Sequence, residues 1–212
     1  FGSLSSITRA QLLAGANMCA FGDEVLCFQR ATLVSGDTYT LTGFLRGLFG
    51  TEHHISTHAA GDRVVVLLPE STYRVPSGLS QINIDLVLKG VTFGSTLAGA
   101  LPVDFVNSGA GAKPLSVVQL SAAADDESPP QYIITWVRRS RIPHQWADYV
   151  DAPLGELIEK YLVEVLRDDV VINSQTVTLA EATVSATVGD VVRVRQLSDL
   201  VGPGFPAITT II

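Results

Sequence analysis

Gln131-Tyr132-Ile133-Ile134-Thr135-Trp136-Val137 sets Tyr132, Ile134 and Trp136 on one side of an extended chain. A strand alternates its side chains with a period of two, so this segment presents one bulky apolar face that ends in an indole. The spacing recurs in Tyr161, Val163 and Val165. It recurs again in Val192, Val194 and Gln196, where Arg193 and Arg195 take the outer side. Residues 116–121, 178–188 and 207–212 read as further strands, and Asp125-Asp126-Glu127-Ser128-Pro129-Pro130 reads as an acidic loop. Residues 154–166 open on a helix-compatible piece, but the β-branched content after Tyr161 favours strand.

Upstream, turn signals recur between short alternating runs, the pattern of an all-β domain. Gly22-Asp23 joins residues 19–21 to 25–28 as a tight hairpin, and Ser35-Gly36-Asp37 joins residues 31–34 to 39–41. Arg63-Val64-Val65-Val66-Leu67-Leu68 is nearly continuous apolar and reads as a buried strand. In residues 81–88, Ile82, Ile84, Leu86 and Leu88 share one face. Residues 94–114, rich in Gly, Ala, Ser and Pro, read as an extended connection, with a domain boundary near Lys113-Pro114. About seven short strands in the last hundred residues are the pattern of an immunoglobulin-like sandwich.

Hydrophobic residues make up 47% of the 212 and charged residues 17%, enough to bury a core and too apolar for a disordered tail. A mean hydropathy of +0.33 without any run of about 20 apolar residues argues for apolar surface packed against neighbouring chains, not for a spanning helix. The net charge of −7 argues against nucleic acid, which calls for clustered Lys and Arg. Opening on Phe1 without a basic stretch and an apolar core, the chain reads as a piece of a longer polypeptide. Cys19 and Cys27 flank the first hairpin; a cross-strand disulfide and a pair of buried thiols are both open, the thiols being the ordinary state.

Four groups of residues invite a functional reading. His53, His54 and His58 lie close together beside Glu52, but a metal needs further ligands held by the backbone, and solvent-facing loop histidines are the simpler reading. Arg46-Gly47 and Gly50-Thr51 resemble a phosphate cradle only superficially, lacking the Gly-Lys-Ser/Thr ending. Their glycines permit φ > 0, and Arg46 offers a bidentate donor to a carboxylate, within the domain or on a partner. Arg138, Arg139 and Arg141 face either an acidic partner or Asp148, Asp151 and Glu156 nearby; strand alternation would oppose Arg138 to the other two. Trp146 and Tyr149 are interface anchors or, alternatively, a sugar-stacking platform. No nucleophile elbow or paired-carboxylate signature points to a hydrolase.

Trp136, then Tyr161-Leu162-Val163-Glu164-Val165, Val192-Arg193-Val194-Arg195-Gln196 and Gly202-Pro203-Gly204 together resemble a fibronectin type III domain. The family's tyrosine ahead of the Val-x-Val strand is replaced here by Asp190 or Val191, which removes its corner hydrogen bond. A wider resemblance rests on Gly22-Asp23-Glu24-Val25-Leu26-Cys27-Phe28-Gln29, Phe44-Leu45-Arg46-Gly47-Leu48-Phe49-Gly50-Thr51-Glu52 and His58-Ala59-Ala60-Gly61. It continues through Trp136-Val137-Arg138-Arg139-Ser140-Arg141, Trp146 and Pro153-Leu154-Gly155-Glu156. These resemble the C-terminal part of the large tail-tip protein of gene transfer agents and related siphophages, whose pattern is more basic at Leu48-Phe49.

The sequence thus predicts an all-β chain: an N-terminal β-barrel or sandwich-like domain over residues 1–112 and a fibronectin type III-like sandwich over 113–212. The resemblance implies a structural, non-enzymatic virion component of the distal tail, a homotrimer bound to other tail-tip and hub proteins and contacting the host surface. Its alternatives are a receptor- or glycan-binding module and a tail-associated glycan hydrolase. No catalytic, cofactor or metal residue is assigned; the candidate interface is Arg46, Thr51, Glu52, His58, Arg139, Arg141 and Trp146.

Overall fold

Two glycine-led reversals organise the first strands. β1 (Met18–Phe21) turns through Gly22-Asp23 into β2 (Glu24–Ser35), which turns through Gly36-Asp37 into β3 (Thr38–Leu48). Gly22 and Gly36 sit at φ +54 and +52, where a Cβ would be strained. β4 (Val64–Val66) pairs with the free side of β1, giving the antiparallel order β3-β2-β1-β4. The computed structural model describes residues 3–73, 75–125, 131–145 and 147–212. Within them 44% of the chain is strand and 7% helix, so the protein is all-β. It divides into two compact units, Phe1–Gly111 and Ala112–Ile212.

In the first unit Cys19, Leu26 and Phe28 are buried on one face of the sheet, with Leu4, Phe21, Ala31 and Leu41 packed around them. The short helix α1 (Arg9–Leu13), closed by a Thr8–Gln11 capping box, precedes the sheet. The register Met18↔Cys27 and Cys19↔Leu26 turns the two cysteines to opposite faces, and both are free buried thiols. Burial pushes the Cys19 thiol up to about 11.

Three strand expectations need correction here. The apolar run at 63–68 is not a buried strand: β4 covers three residues at the sheet edge, and Val64 is 48% exposed. The alternation at 81–88 becomes strand only as β5 (Asp85–Lys89), because Leu79–Gln81 closes a 3-10 turn first. The supposed connection at 94–114 contains β6 (Pro102–Val106), which pairs with β5 in a separate two-stranded sheet. Proline is tolerated there because it begins the strand.

The second unit is a β-sandwich. β7 (Val118–Ala124), β8 (Gln131–Val137) and β11 (Glu181–Ser185) form one sheet in the order β11-β8-β7. β9 (Tyr161–Arg167), β10 (Val170–Val177) and β12 (Val191–Ser198) form the other, with β13 (Gly202–Pro203) and β14 (Ala207–Thr210) both pairing with β12. The inward residues read from sequence are the core: Tyr132, Ile134, Trp136, Tyr161, Val163, Val165, Val192 and Val194 are all buried. Trp136, 4% exposed, meets Tyr161 edge-on with ring centroids 5.0 Å apart, a favoured aromatic geometry.

Residues 154–160 form no helix, and β10 occupies 170–177, a strand that the sequence pattern did not reveal. Being an edge strand exposed along most of its length, it carries no apolar alternation to read. At the corner where a tyrosine was missing, buried Asp190 accepts from Arg167 Nε and Nη2, both at 2.8 Å, and from the Thr187 amide. Arg167 and the Thr187 bonds hold this carboxyl below the usual carboxylate range.

Replacing the indole at the sandwich centre tests this packing. Trp136→Ala should cost about 3–5 kcal/mol, read as a lower denaturation midpoint in guanidinium chloride.

Candidate functional site

Glu24 begins β2 on the same face as Leu26 and Phe28, an inward position where an apolar residue would be ordinary. Its side chain is 0% exposed. Ionised burial is costly unless every lone pair is met. Four donor groups from the next 34 residues of chain meet it. Arg46 Nε lies 2.7 Å from Oε1 and Arg46 Nη2 lies 2.6 Å from Oε2, a bidentate pair. The Gly47 amide donates to Oε1 at 2.7 Å, and His58 Nε2 lies 2.6 Å from Oε2. Burial alone would raise the pKa of Glu24, but hydrogen bonds from Arg46, His58 and Gly47 bring it down to about 2.

The remaining groups hold this cluster in shape. His58 stacks on Phe21 with centroids 4.3 Å apart and turns Nδ1 to Asp62 Oδ2 at 3.3 Å. Asp62 in turn accepts from the Ala59 amide. The ring thus lies between two carboxylates, one at each nitrogen. Arg46 Nη2 also donates to the Ile55 carbonyl. Thr51 Oγ1 accepts from the Val25 amide and donates to Leu48 O, tying the turn after β3 to the start of β2. Gly47 is at φ +63, and a Cβ there would lie 2.7 Å from Glu52 Cγ and 2.9 Å from Glu52 Cα. The Arg-Gly-x-x-Gly-Thr-Glu element is therefore a wrap around one carboxylate.

The structure thus brings Arg46, Thr51, Glu52 and His58 together. Glu24, which joins them, was not among the candidate residues; its signal is a carboxylate in phase with Leu26 and Phe28. The solvent-facing reading of His58 is corrected, since the ring packs between Phe21, Glu24 and Asp62 with 17% of its side chain exposed. His53 and His54 instead lie against each other at 4.0 Å in the 3-10 turn Glu52–His54. With its oxygens filled and no exposed surface, Glu24 has nothing left to offer a ligand; the chemistry of this cluster is cohesion. A groove of about 890 Å³ in the same unit is lined by Met18, Val25, Phe49 and residues 66–69 among others. Every lining side chain is apolar or neutral.

In the second unit, the arginine cluster follows the end of β8, so strand alternation does not apply to it. Arg138 binds Asp151 and the carbonyls of Ala152 and Pro153. Arg141 binds Glu156 Oε1 at 2.9 Å and Gly155 O at 3.0 Å. Arg139 is half-buried in the same stretch. Arg138 and Arg141 shape the loop that precedes β9, and a partner contact there would be made by the loop they hold. Trp146 lies outside the described residues.

Residues 1–65 match a family model described as Rcc01698-like, C-terminal, a family associated with gene transfer agents. That stretch includes Glu24, Arg46, Gly47, Thr51, His58 and Asp62. No curated protein matches the chain. Among solved structures, domains d3-d4 of the rat CD45 extracellular region are similar at a TM-score of 0.35 and 11% identity, over 85% of this chain and 92% of that one. A likeness of that size carries no argument about function.

Two outcomes follow from the cluster. Glu24 is held near 2 in the folded chain against about 4.3 unfolded, so its contribution is complete above that unfolded value and is lost as pH falls toward 2. The loss is on the order of 3 kcal/mol, and Glu24→Gln should flatten that acid limb in pH-dependent urea melts while lowering stability at pH 7. Gly47→Ala, strained at its φ and blocked by the Glu52 backbone, should cost about 2 kcal/mol or more by the same measurement.

Proposed function

We propose that this chain is a structural component of the distal tail of a phage or gene-transfer-agent particle, acting through its surfaces and not through a catalytic centre. The observation that carries this reading is the match of residues 1–65 to a gene-transfer-agent family, because the matched stretch contains the whole Glu24 cluster. The cluster accounts physically for the Leu45–Glu52 element, one of the elements on which the tail-tip resemblance rests. The second unit adds support: sheets β11-β8-β7 and β10-β9-β12-β14 around Trp136 suit a fibronectin type III-like module, with Asp190 and Arg167 at the corner in place of tyrosine. Such modules serve as spacers and platforms.

An attachment role is the second reading, favoured by the fully exposed Tyr149 ring beside the loop that Arg138 and Arg141 organise. Antibodies against the chain should label the distal tail of purified particles in electron micrographs, and deleting its coding segment should yield particles with an incomplete tip. Labelling confined to the head, or intact tips after deletion, would refute the structural reading. Specific retention on a glycan array would move the weight to attachment, and turnover of cell-wall polysaccharide to the hydrolase.

A further inference from the structure

Between β5 and β6 runs Gly90-Val91-Thr92-Phe93-Gly94-Ser95-Thr96-Leu97-Ala98-Gly99-Ala100-Leu101, a loop without one ionisable side chain. Loops of this length inside a compact unit are uncommon and often functional. All of its residues except Ala100 are exposed. Phe93 is 109% exposed, Leu101 84%, Leu97 65% and Val91 49%. Large apolar side chains gathered in water mark a contact with another apolar surface. The Ser95 amide donates to Thr92 O at 3.0 Å, closing a turn in which Gly94 takes φ +83. Phe93 therefore stands at the outer corner of that turn.

The polar groups of the loop decide between a protein and a lipid neighbour. A polar group entering a bilayer without a partner is costly, because no water follows it there. Here the hydroxyls are met from within. Ser95 Oγ donates to Thr92 O at 2.8 Å, Thr92 Oγ1 donates to Ser95 Oγ at 3.3 Å, and Thr96 Oγ1 accepts from the Gly99 amide at 3.3 Å. The Ala100 amide turns back to Thr96 O, and Lys89 Nζ donates to Leu97 O at 3.2 Å. A surface built to bind protein keeps such groups for bonds across the contact.

Charge along the hairpin points the same way. Lys89 pairs with Pro102 at the neck of the loop, whereas Asp104 lies two positions back and Asp85 four. At about 3.4 Å per residue, Asp85 stands roughly 14 Å from the neck. An apolar tip with a base at its neck matches a phospholipid layer, whose acyl chains lie beneath its phosphates. Other exposed apolar tips carry acids: Asp37 near Leu33 and Val34, Asp169 beside Val170, and Asp148 beside Tyr149.

We propose that the 90–101 loop inserts its apolar side chains, Phe93 foremost, into the surface of a phospholipid membrane, with the Lys89 ammonium against the lipid phosphates. The contact is interfacial, and no helix among the described residues is long and apolar enough to span. The hairpin face of Leu86, Leu88, Val103 and Phe105 lies behind the loop and takes no part. Lipid contact is open to a single chain and to any assembly of it, so it stands apart from the proposed function.

Flotation of the 212-residue chain with vesicles of phosphatidylethanolamine and phosphatidylglycerol tests it. The wild type should float with the vesicles, and Phe93→Asp should lower its partition coefficient about tenfold or more. Leu179→Asp, at an apolar residue 72% exposed in the second unit, should float like the wild type. These positions are exposed, so the guanidinium midpoint should not move. Ala98→Cys carrying an environment-sensitive fluorophore should shift to the blue and be quenched by brominated acyl chains, whereas labelled Val188→Cys should do neither. Cys19 and Cys27 are buried, so the label goes to the introduced thiol. Lys89→Gln should weaken binding about fivefold at low salt, and high salt should erase that difference; equal binding at low salt would overturn the phosphate contact. Flotation that survives Phe93→Asp, equal loss in Leu179→Asp, or an Ala98 probe that bromine never reaches would overturn the proposal. So would a chain that floats with no vesicle; if it then retains a purified tail protein through Phe93, the loop belongs to a protein partner.

Discussion

Removing a carboxylate from water costs several kcal/mol even after the protein relaxes around it, and Glu24 is removed completely. Everything between Phe21 and Asp62 is arranged to offset that cost. The guanidinium of Arg46 must lie flat against both oxygens, so the end of β3 has to pass beside the start of β2. The Gly47 amide must point inward, which requires a positive φ and a residue without a Cβ. His58 must return from a loop 34 positions away, and the Phe21 ring and Asp62 fix its approach. One charge thereby sets the course of a segment with few buried apolar residues.

The second unit uses the same pairing of acid and arginine, but around a core that is already complete. Glu164 accepts from Arg193 and Arg195 across the β9–β12 pair, and Arg193 beside it holds its carboxyl below the ordinary range. Asp190 and Arg167 close the corner ahead of β12, and Arg141 and Glu156 close the loop ahead of β9. The β-sandwich draws its cohesion chiefly from the layer of Trp136, Tyr161 and the valines between its sheets. There the ion pairs fix the corners; in the first unit the ion pair is the centre.

This distribution bears on function. Charged groups in the first unit turn inward at Glu24, while the stretch from 71 to 108 turns apolar side chains outward. A chain that buries Glu24 against its own arginine and leaves valine, leucine and phenylalanine to solvent is suited to contact with other polypeptide. The neutral groove lined by Met18 and Phe49 belongs to the same pattern.

By itself the sequence determined each strand that has one dry face and one wet face. The sets at Tyr132, Tyr161 and Val192 and the reversals at Gly22-Asp23 and Gly36-Asp37 are local: a period of two or a glycine at a turn depends on adjacent residues alone. The edge strands β4, β6 and β10 were misread or missed because a strand exposed on both faces leaves no alternation, and Pro102 reads as connection. The role of Glu24 lay beyond local reading for a different reason. As a residue following a turn it is unremarkable; only the closure of loops of 22 and 34 residues brings Arg46 and His58 within hydrogen-bond distance. Periodicity records which way a side chain points, whereas the tertiary structure decides what it meets there.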